Sequence, residues 1–586
     1  MIYKAGSGHP GGSLSMLKII AALYFGKTSD GQRIMRYDPK DPNWVNRDRF
    51  VLSKGHAAPG LYAALGRAGF FPVSEFDNLR KLGSMLQGHT DMTKTPGIDM
   101  SAGSLGVAIS AATGMAIAAK MDGRDYTVNV MLGDGESQEG QVDEAARHAA
   151  AIGLDNMIAF LDWNGMQIDG KVTDVDIDFN GQAVLWQDRG WNVITANGEM
   201  VSDVVRVIEK AKITRNGKPT VIIAKTIKGA GLPGMDKHGA APKEEEVKTS
   251  TEIIEKDLSG LAGEGFNKDK FIKGLLPKIA LDQTEKNEID GRNTEAAQAR
   301  RTGGIDLLQA ERAQSIIKET LKPYAEGKNV STRTANGDEL LLLGAEDPDV
   351  VVMSADLKGS VMFDKFEKAF GVFSARNPTG RYIPIGIREA HMASLATGLA
   401  SCGKIPVIGT FSIFTTRMPD QLNAILNTKL PIVIVGTHGG LATGPDGRTH
   451  QDAHSQGILG ALPGVKLLEG ADAEETRVLA RHIYESTKRE GGIYYIRPAR
   501  LDTPILPKPE GWQEGARKGF YTLYDSEAGK PKQAGRYDVA IVSTGVVGVD
   551  AVEAAKELAG KGKRVRVVNV CQLTAITDER NAAEFA

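Results

Sequence analysis

Two stretches decide the fold: "YTVNVMLGDGESQEG", residues 126–140, and "NMIAFLDWNGMQIDG", residues 156–170. Each opens as a short β-rich apolar run and breaks into a glycine-rich polar turn. Between them "QEGQVDEAARHAAAIG" (138–153) reads as a helix. A crossover of about 30 residues is the length of a strand–helix–strand unit, which brings both strand ends to one edge of a sheet. Asp134 closes the first strand and Asn164 the second. In open parallel sheets ligands bind beyond the carboxyl ends of the strands. An Asp carboxylate, an Asn amide oxygen and a nearby backbone carbonyl are hard oxygen donors that suit Mg²⁺ or Ca²⁺. The helix after Gly135 points its N-terminus at the same place, which favours a phosphate. The plainer reading of "GDG", a tight turn with a helix-capping Asp, stays open on the motif alone.

Outward from this pair the same rhythm continues. "TVIIAKTI" (220–227), "DVVVMSA" (349–355), "IPVIGTF" (405–411), "LPIVIVGTH" (430–438) and "GGIYYIR" (491–497) are further buried-strand candidates. The alternation predicts an α/β class: parallel sheets with helices on both faces. Residues 1–240 form the first expected domain and 314–505 the second. The charged stretch 241–313 is expected to be a mostly solvated linker with some helix. Residues 506–586, with "DVAIVSTG", "GVDAVEAAKELAGKGK" and "RVRVVNV", are expected to be a partial third α/β domain.

A 586-residue chain is too long for one core. A hydrophobic share of 41% with 25% charged residues is ordinary for a soluble globular protein. The net charge of −2 gives no argument for nucleic acid or an acidic membrane as partner. Cys402 and Cys571 alone make neither a disulfide framework nor a zinc pattern, so a reducing cytoplasm is expected. "SLSMLKIIAALYFG" (13–26) is apolar, but it contains Lys18 and is too short to span a bilayer.

The chain has ten histidines, and their placement is uneven. His9, His56, His89, His238 and His438 each have a glycine neighbour, and His450 follows in "GRTHQ". A lone loop histidine is usually solvated. Six in glycine-rich loops suggest a shared site for proton transfer or for substrate hydroxyls. In "GIREAHMASLATGLA" (386–400), Glu389 stands where a loop turns into a helix. It is either a residue that complements the helix dipole or a buried general acid. Phe411 and Phe414 are spaced for core packing or as a wall for a flat heteroaromatic ring.

"GSGHPGGSLS", "SKGHAAPGLYAAL", "GDGESQEG", "DWNGMQIDG", "HGAAP", "SADL", "IGIREAHM" and "GTHGG…GRTHQ" occur in this order. By these motifs the chain resembles the transketolases, thiamine-diphosphate enzymes. The resemblance runs the length of the chain. It implies two thiamine-diphosphate-binding-type α/β domains plus the partial third. It implies reversible transfer of a two-carbon glycolaldehyde unit, via a cofactor carbanion, from a ketose phosphate such as xylulose 5-phosphate to an aldose phosphate such as ribose 5-phosphate.

By the same resemblance Asp134, Asn164 and the Met166 carbonyl hold the metal, Mg²⁺ first, with Ca²⁺ and Mn²⁺ as the other candidates. Gly135, His56 and His238 hold the diphosphate. Gly103, Ser104 and Leu105 lie against the cofactor. Glu389 hydrogen-bonds the aminopyrimidine, and Phe411 and Phe414 wall it. His9, His89, His238, His438 and His450 match the residues that serve substrate hydroxyls, and Asp446 matches a carboxylate that reads one. Arg333, Ser360 and Arg497, with His438, match the phosphate-end contacts.

The resemblance further implies a homodimer with active sites at the subunit interface, and sugar phosphates as partners. A related thiamine-diphosphate synthase, a ketol transferase for other sugars, and a fold-retaining non-catalytic subunit are the competing readings. The chain departs from the family pattern at Val107 and Ala108, where Gln-Gly is usual, and at Arg417, where a tyrosine is common. A shortened N-terminus and a shortened C-terminal domain are also expected.

Overall fold

The computed structural model describes residues 1–262, 283–303, 307–320, 322–441, 443–529 and 537–577. The chain divides into two units: Met1–Gly304 with Ser374–Pro378, and Ile305–Phe373 with Thr379–Ala586.

The first unit is built on five parallel strands: β1 (Arg49–Leu52), β2 (Val128–Gly133), β3 (Met157–Trp163), β4 (Asn192–Asn197) and β5 (Thr220–Lys225). Their order is β1-β2-β3-β5-β4. The central strands are buried along nearly their whole length, as parallel strands covered on both faces must be. That is why they read as continuous apolar runs. β4 is a half-exposed edge strand and β1 has only four residues, so neither carries a sequence signal of comparable strength. The helix Ala108–Met121 is buried along almost its entire length; its alanines and glycine allow a close approach to the sheet.

The charged stretch expected to be a linker with some helix is helical from Glu244 onward where it is described. Glu244–Ala262 and Gln283–Gly303 are helices of the first unit. The second is fastened there by polar contacts. Asp290 accepts from Trp44 Nε1 and Asn46 Nδ2, both at 2.7 Å. Lys286 pairs with Asp38 and Asp41 at 3.0 and 2.8 Å. Residues 263–282 and 304–306 of that stretch lie outside the described residues.

The second unit contains β6 (Asn329–Ser331), β7 (Val350–Ser354), β8 (Tyr382–Pro384), β9 (Ile405–Phe411), β10 (Ile432–Thr437), β11 (Lys466–Leu468), β12 (Ile493–Ile496), β13 (Asp502–Pro504), β14 (Phe520–Asp525), β15 (Val539–Ser543) and β16 (Val565–Val570). Six of them form a parallel sheet in the order β11-β12-β10-β9-β7-β8. β6 and β13 pair antiparallel.

The expected strand–helix–strand near the C-terminus is present as β15, the helix Val547–Gly560 and β16. β14 pairs antiparallel with β16 and completes a three-stranded sheet. This sheet shares an apolar core with the rest of the unit. Buried Glu475 adds a polar fastening: it accepts from Tyr521 Oη at 3.1 Å and from Asn569 Nδ2 at 2.7 Å. Residues 530–536 and 578–586 of the expected third domain lie outside the described residues.

Candidate active site

In the first unit the register Gly133↔Asp162 sets the ends of β2 and β3 side by side. The Asp134 carboxylate accepts from the Gly135 amide at 2.8 Å and from the Gly165 amide at 2.5 Å. Asn164 Oδ1 accepts from the Met166 amide at 3.0 Å. One carboxylate and one amide oxygen thus share a cradle of backbone amides, with the Met166 peptide in the same turn. At Gly135 a Cβ would lie 3.2 Å from Gln167 Cβ, a tight contact that a side chain could make only if Gln167 shifted. The carboxyl of Asp134 is pushed up to about 6, first by burial and then by nearby Asp162. A divalent cation on its oxygens would offset both effects. The donor set therefore fits a hard cation with a diphosphate.

Four imidazoles gather in the same unit. The His9 ring centroid lies 5.2 Å from that of His56, 6.4 Å from His89 and 5.1 Å from His238. His56 and His238 are 5.5 Å apart. Burial is the leading cause that lowers each of them. His9 falls to about 4 and His56 to about 2, and His89 and His238 are lowered as well. All four are neutral near pH 7, each with one ring nitrogen able to accept a hydrogen bond. His9 Nδ1 is buried with no hydrogen-bond partner among the described residues.

The Gly103–Leu105 loop is tied to the His89 segment by the Ala102 amide, which donates to Thr90 O at 3.2 Å. Leu105 is exposed.

Residues that sequence reasoning passed over hold this half together. Buried Lys54 donates to Gly12 O at 3.0 Å and pairs with fully buried Asp162. It thereby braces the His9 loop from the end of β3. Glu136 is buried and accepts from Ser53 Oγ, from the Gly106 amide at 2.8 Å and from the Gly133 amide at 2.9 Å. It clasps three loops around the site. Lys228 is lowered by burial while Asp134 raises it, and it lowers His238 in turn. Its Nζ donates to Gln167 O at 3.4 Å, and its charge is felt by both Asp134 and His238. Arg80, at φ 64°, lies close enough to His9 and His89 to lower both. The signal available for Lys54 and Glu136 was their place inside "SKGH" and "GDGE", beside residues already singled out.

In the second unit Glu389 begins the helix Glu389–Ser401 and is buried. Its Oε2 accepts from Arg417 Nη1 at 2.9 Å. The Phe411 and Phe414 rings stack at 5.7 Å and 17°. The pairing Thr437↔Phe411 between β10 and β9 delivers the His438 ring to 4.0 Å from Phe411. His450 lies 5.5 Å from Phe414. His438 takes φ 60°, a left-handed conformation rare outside glycine. It is lowered to about 4 by burial, then by Arg333 and Arg500.

Arg333 Nη1 donates to Ser360 O at 3.2 Å and lies 3.5 Å from His438 Nε2. Its Nε is buried with no hydrogen-bond partner among the described residues. Asp446 accepts from Arg500 Nη1 at 2.9 Å.

Arg497, expected at the phosphate end, is engaged by carboxylates of its own unit. Its guanidinium is buried and donates to Asp452 Oδ2 at 3.0 Å, Glu469 Oε1 at 2.6 Å and Asp452 O at 2.8 Å. Two carboxylates already neutralise it. Arg500, three residues on, is the arginine whose charge reaches Arg333 and His438.

Strand-end oxygen donors and a neutral histidine cluster in the first unit, and a buried glutamate and a stacked phenylalanine pair in the second, are each carried on a parallel-sheet α/β unit. Residues 1–294 match the family described as "Transketolase, thiamine diphosphate binding domain", and residues 328–500 match "Transketolase, pyrimidine binding domain". The chain belongs to the transketolase family.

It is 31% identical over 600 residues to the transketolase of Aquifex aeolicus, covering 98% of this chain and 82% of that one. It is 32% identical over 613 residues to chloroplastic transketolase-1 of Arabidopsis thaliana, covering 97% and 77%. A 260-residue match, 44% of this chain and 91% of the other, is 44% identical to the 6-deoxy-6-sulfo-D-fructose transketolase subunit SqwG of a Clostridium. Among solved structures, the transketolase from Leishmania mexicana superposes with a TM-score of 0.85 at 26% identity, covering 99% of this chain and 86% of that one. These matches favour a transketolase-type transferase over the competing readings. No described helix is long and apolar enough to cross a membrane.

Proposed function

We propose that this enzyme moves a two-carbon ketol unit between sugar phosphates, using thiamine diphosphate and a divalent cation, Mg²⁺ first. The observation that carries the reading is the cluster of four neutral imidazoles in the unit that also carries the Asp134–Asn164 oxygen pair. Thiamine diphosphate supplies the nucleophilic carbon and the electron sink that cleavage beside a ketose carbonyl requires. Asp134, Asn164 and the Met166 carbonyl would hold the cation. Gly135, His56 and His238, with Lys228 added, would hold the diphosphate, and Gly103, Ser104 and Leu105 would lie against the cofactor ring. Glu389 would exchange a proton with the aminopyrimidine, against Phe411 and Phe414.

His9, His89, His438 and His450 would accept and return the protons of substrate hydroxyls, and Asp446 would orient one of them. Arg333 and the Ser360 segment would take the terminal phosphate, with Arg500 in place of Arg497. Arginines suit this task because they are always charged and present several donors. The test is formation of sedoheptulose 7-phosphate from xylulose 5-phosphate and ribose 5-phosphate with Mg²⁺ and thiamine diphosphate. Absence of product from every ketose phosphate tried overturns the reading.

The SqwG match favours a second reading of the donor. A sulfonate is also a terminal oxyanion that a pair of arginines can bind. Comparing kcat/KM for a 6-deoxy-6-sulfo ketose with that for fructose 6-phosphate decides between them.

A homodimer with active sites at the subunit interface is part of the proposal. It is supported by the family assignment and by the division of the site residues between two units. A cytoplasmic location is supported by the low cysteine content, Cys402 and Cys571 alone in 586 residues.

A further inference from the structure

The segment Ser412–Arg417 folds as a short 3₁₀ turn directly after β9. Side chains three apart eclipse in such a turn. Phe414 and Arg417 therefore share a face, with the guanidinium carbon 5.8 Å from the Phe414 ring centroid. From there Nη1 reaches Glu389 Oε2 at 2.9 Å. The pair is asymmetric: the Glu389 side chain is 4% exposed and that of Arg417 is 60% exposed. A buried carboxylate is costly unless it is paired, and a guanidinium at this distance offers a charge-assisted hydrogen bond. The transketolase pattern commonly has a tyrosine at this position, which cannot supply a full positive charge.

We propose that Arg417 is a positioning residue. It fixes the Glu389 carboxylate beside the Phe411–Phe414 wall and stabilises its anionic form once the proton has passed to the aminopyrimidine nitrogen of thiamine diphosphate. The inference rests on the reading of Glu389 as the pyrimidine contact. The proton leaves a carboxyl oxygen of Glu389 and binds the ring nitrogen; no electrons are gained or lost. Arg417 keeps all its protons throughout and acts only by its charge and its hydrogen bond.

The experiment is a calorimetric titration of the full chain with thiamine diphosphate in excess Mg²⁺, for wild type, R417M, R417Q, R417K and E389Q. Arg417 is largely solvated, so these substitutions are compatible with the fold, and melting curves confirm it. R417M and R417Q should bind the cofactor roughly fivefold more weakly, the scale of a partly exposed ion pair. R417K should recover most of the loss, which a purely steric role does not predict. Affinity within twofold of wild type in both R417M and R417Q overturns the inference. So does tighter binding, because it makes Arg417 a competitor for Glu389. If E389Q binds as tightly as wild type, the Glu389 reading itself fails, and that outcome is distinct from an effect confined to Arg417.

Discussion

The two units solve opposite electrostatic problems. The first gathers groups whose charge the protein has suppressed: four imidazoles held neutral and an aspartate raised to about 6. The second gathers groups whose charge cannot be suppressed, the guanidinium groups of Arg333, Arg417, Arg497 and Arg500, three of them in ion pairs with carboxylates. Neutral imidazoles and hard oxygens suit moving protons and holding a cation. Fixed guanidinium charges suit recognition of an anion and orientation of a carboxylate. The lesson is that the chain keeps pH-tunable chemistry in one unit and pH-indifferent charge in the other.

The largest expected effect tests what supports the tunable half. Lys54→Met leaves fully buried Asp162 without its cation. Removing one partner of a buried pair costs about 3–5 kcal/mol. Thermal unfolding should show this loss in the first unit, with the second unaffected. K54M together with Asp162→Asn should recover part of the loss, because no charge is then stranded. A melting temperature for K54M equal to wild type would show that the pair braces nothing.

The division of labour itself is tested by complementation. Glu389→Gln and Asp134→Ala should each lower turnover at least about a hundredfold, the scale of losing acid–base catalysis or the metal. If the two halves of one site come from different chains, mixing and reassociating the variants builds dimers with one intact site. About a quarter of wild-type activity should then return. No recovery after verified exchange places both halves in one chain.

A smaller effect separates two arginines that the sequence does not separate. Arg500→Gln should raise KM for ribose 5-phosphate about tenfold, with little change for an unphosphorylated acceptor, as expected for one charge-assisted contact. Arg497→Gln should instead lower stability, because it strands Asp452 and Glu469. The opposite pattern would restore Arg497 as the anion contact.

The same contrast explains what was legible in the sequence. Asp134, Asn164 and the first-unit histidines stand in short glycine-rich turns next to strong strand signals, so chain-local pattern locates them. β14 was missed because "FYTLYD" (520–525) gains its place only by pairing with β16, some forty residues later. The partners of Arg497 escape the sequence for a related reason. Spacing puts Arg497 at the end of β12, but its partners Asp452 and Glu469 come from other segments of the fold. Periodicity reports which face a residue occupies. It does not report whether a charge there is already neutralised. The helix Gln283–Gly303 is mostly exposed, as its polar composition implies; its few anchoring contacts, through Lys286 and Asp290, are invisible to hydropathy.

The smallest effect sharpens the comparison through pH. His438 falls to about 4 in the fold, against about 6.5 for an unperturbed imidazole. Between these values the unfolded chain binds the proton and the native one does not. Stability is therefore complete above about pH 6.5 and declines as pH falls towards 4. At pH 5 unfolding should take up about one proton at this residue, and His438→Asn should remove that uptake and flatten the slope for the second unit. The first unit carries four lowered histidines, whereas the second has His438 and His482. Acid should therefore loosen the first unit ahead of the second, seen as earlier hydrogen exchange in β2 and β3 than in β9 and β10. Loss of protection in the opposite order would mean that the neutral imidazoles are not what separates the two halves.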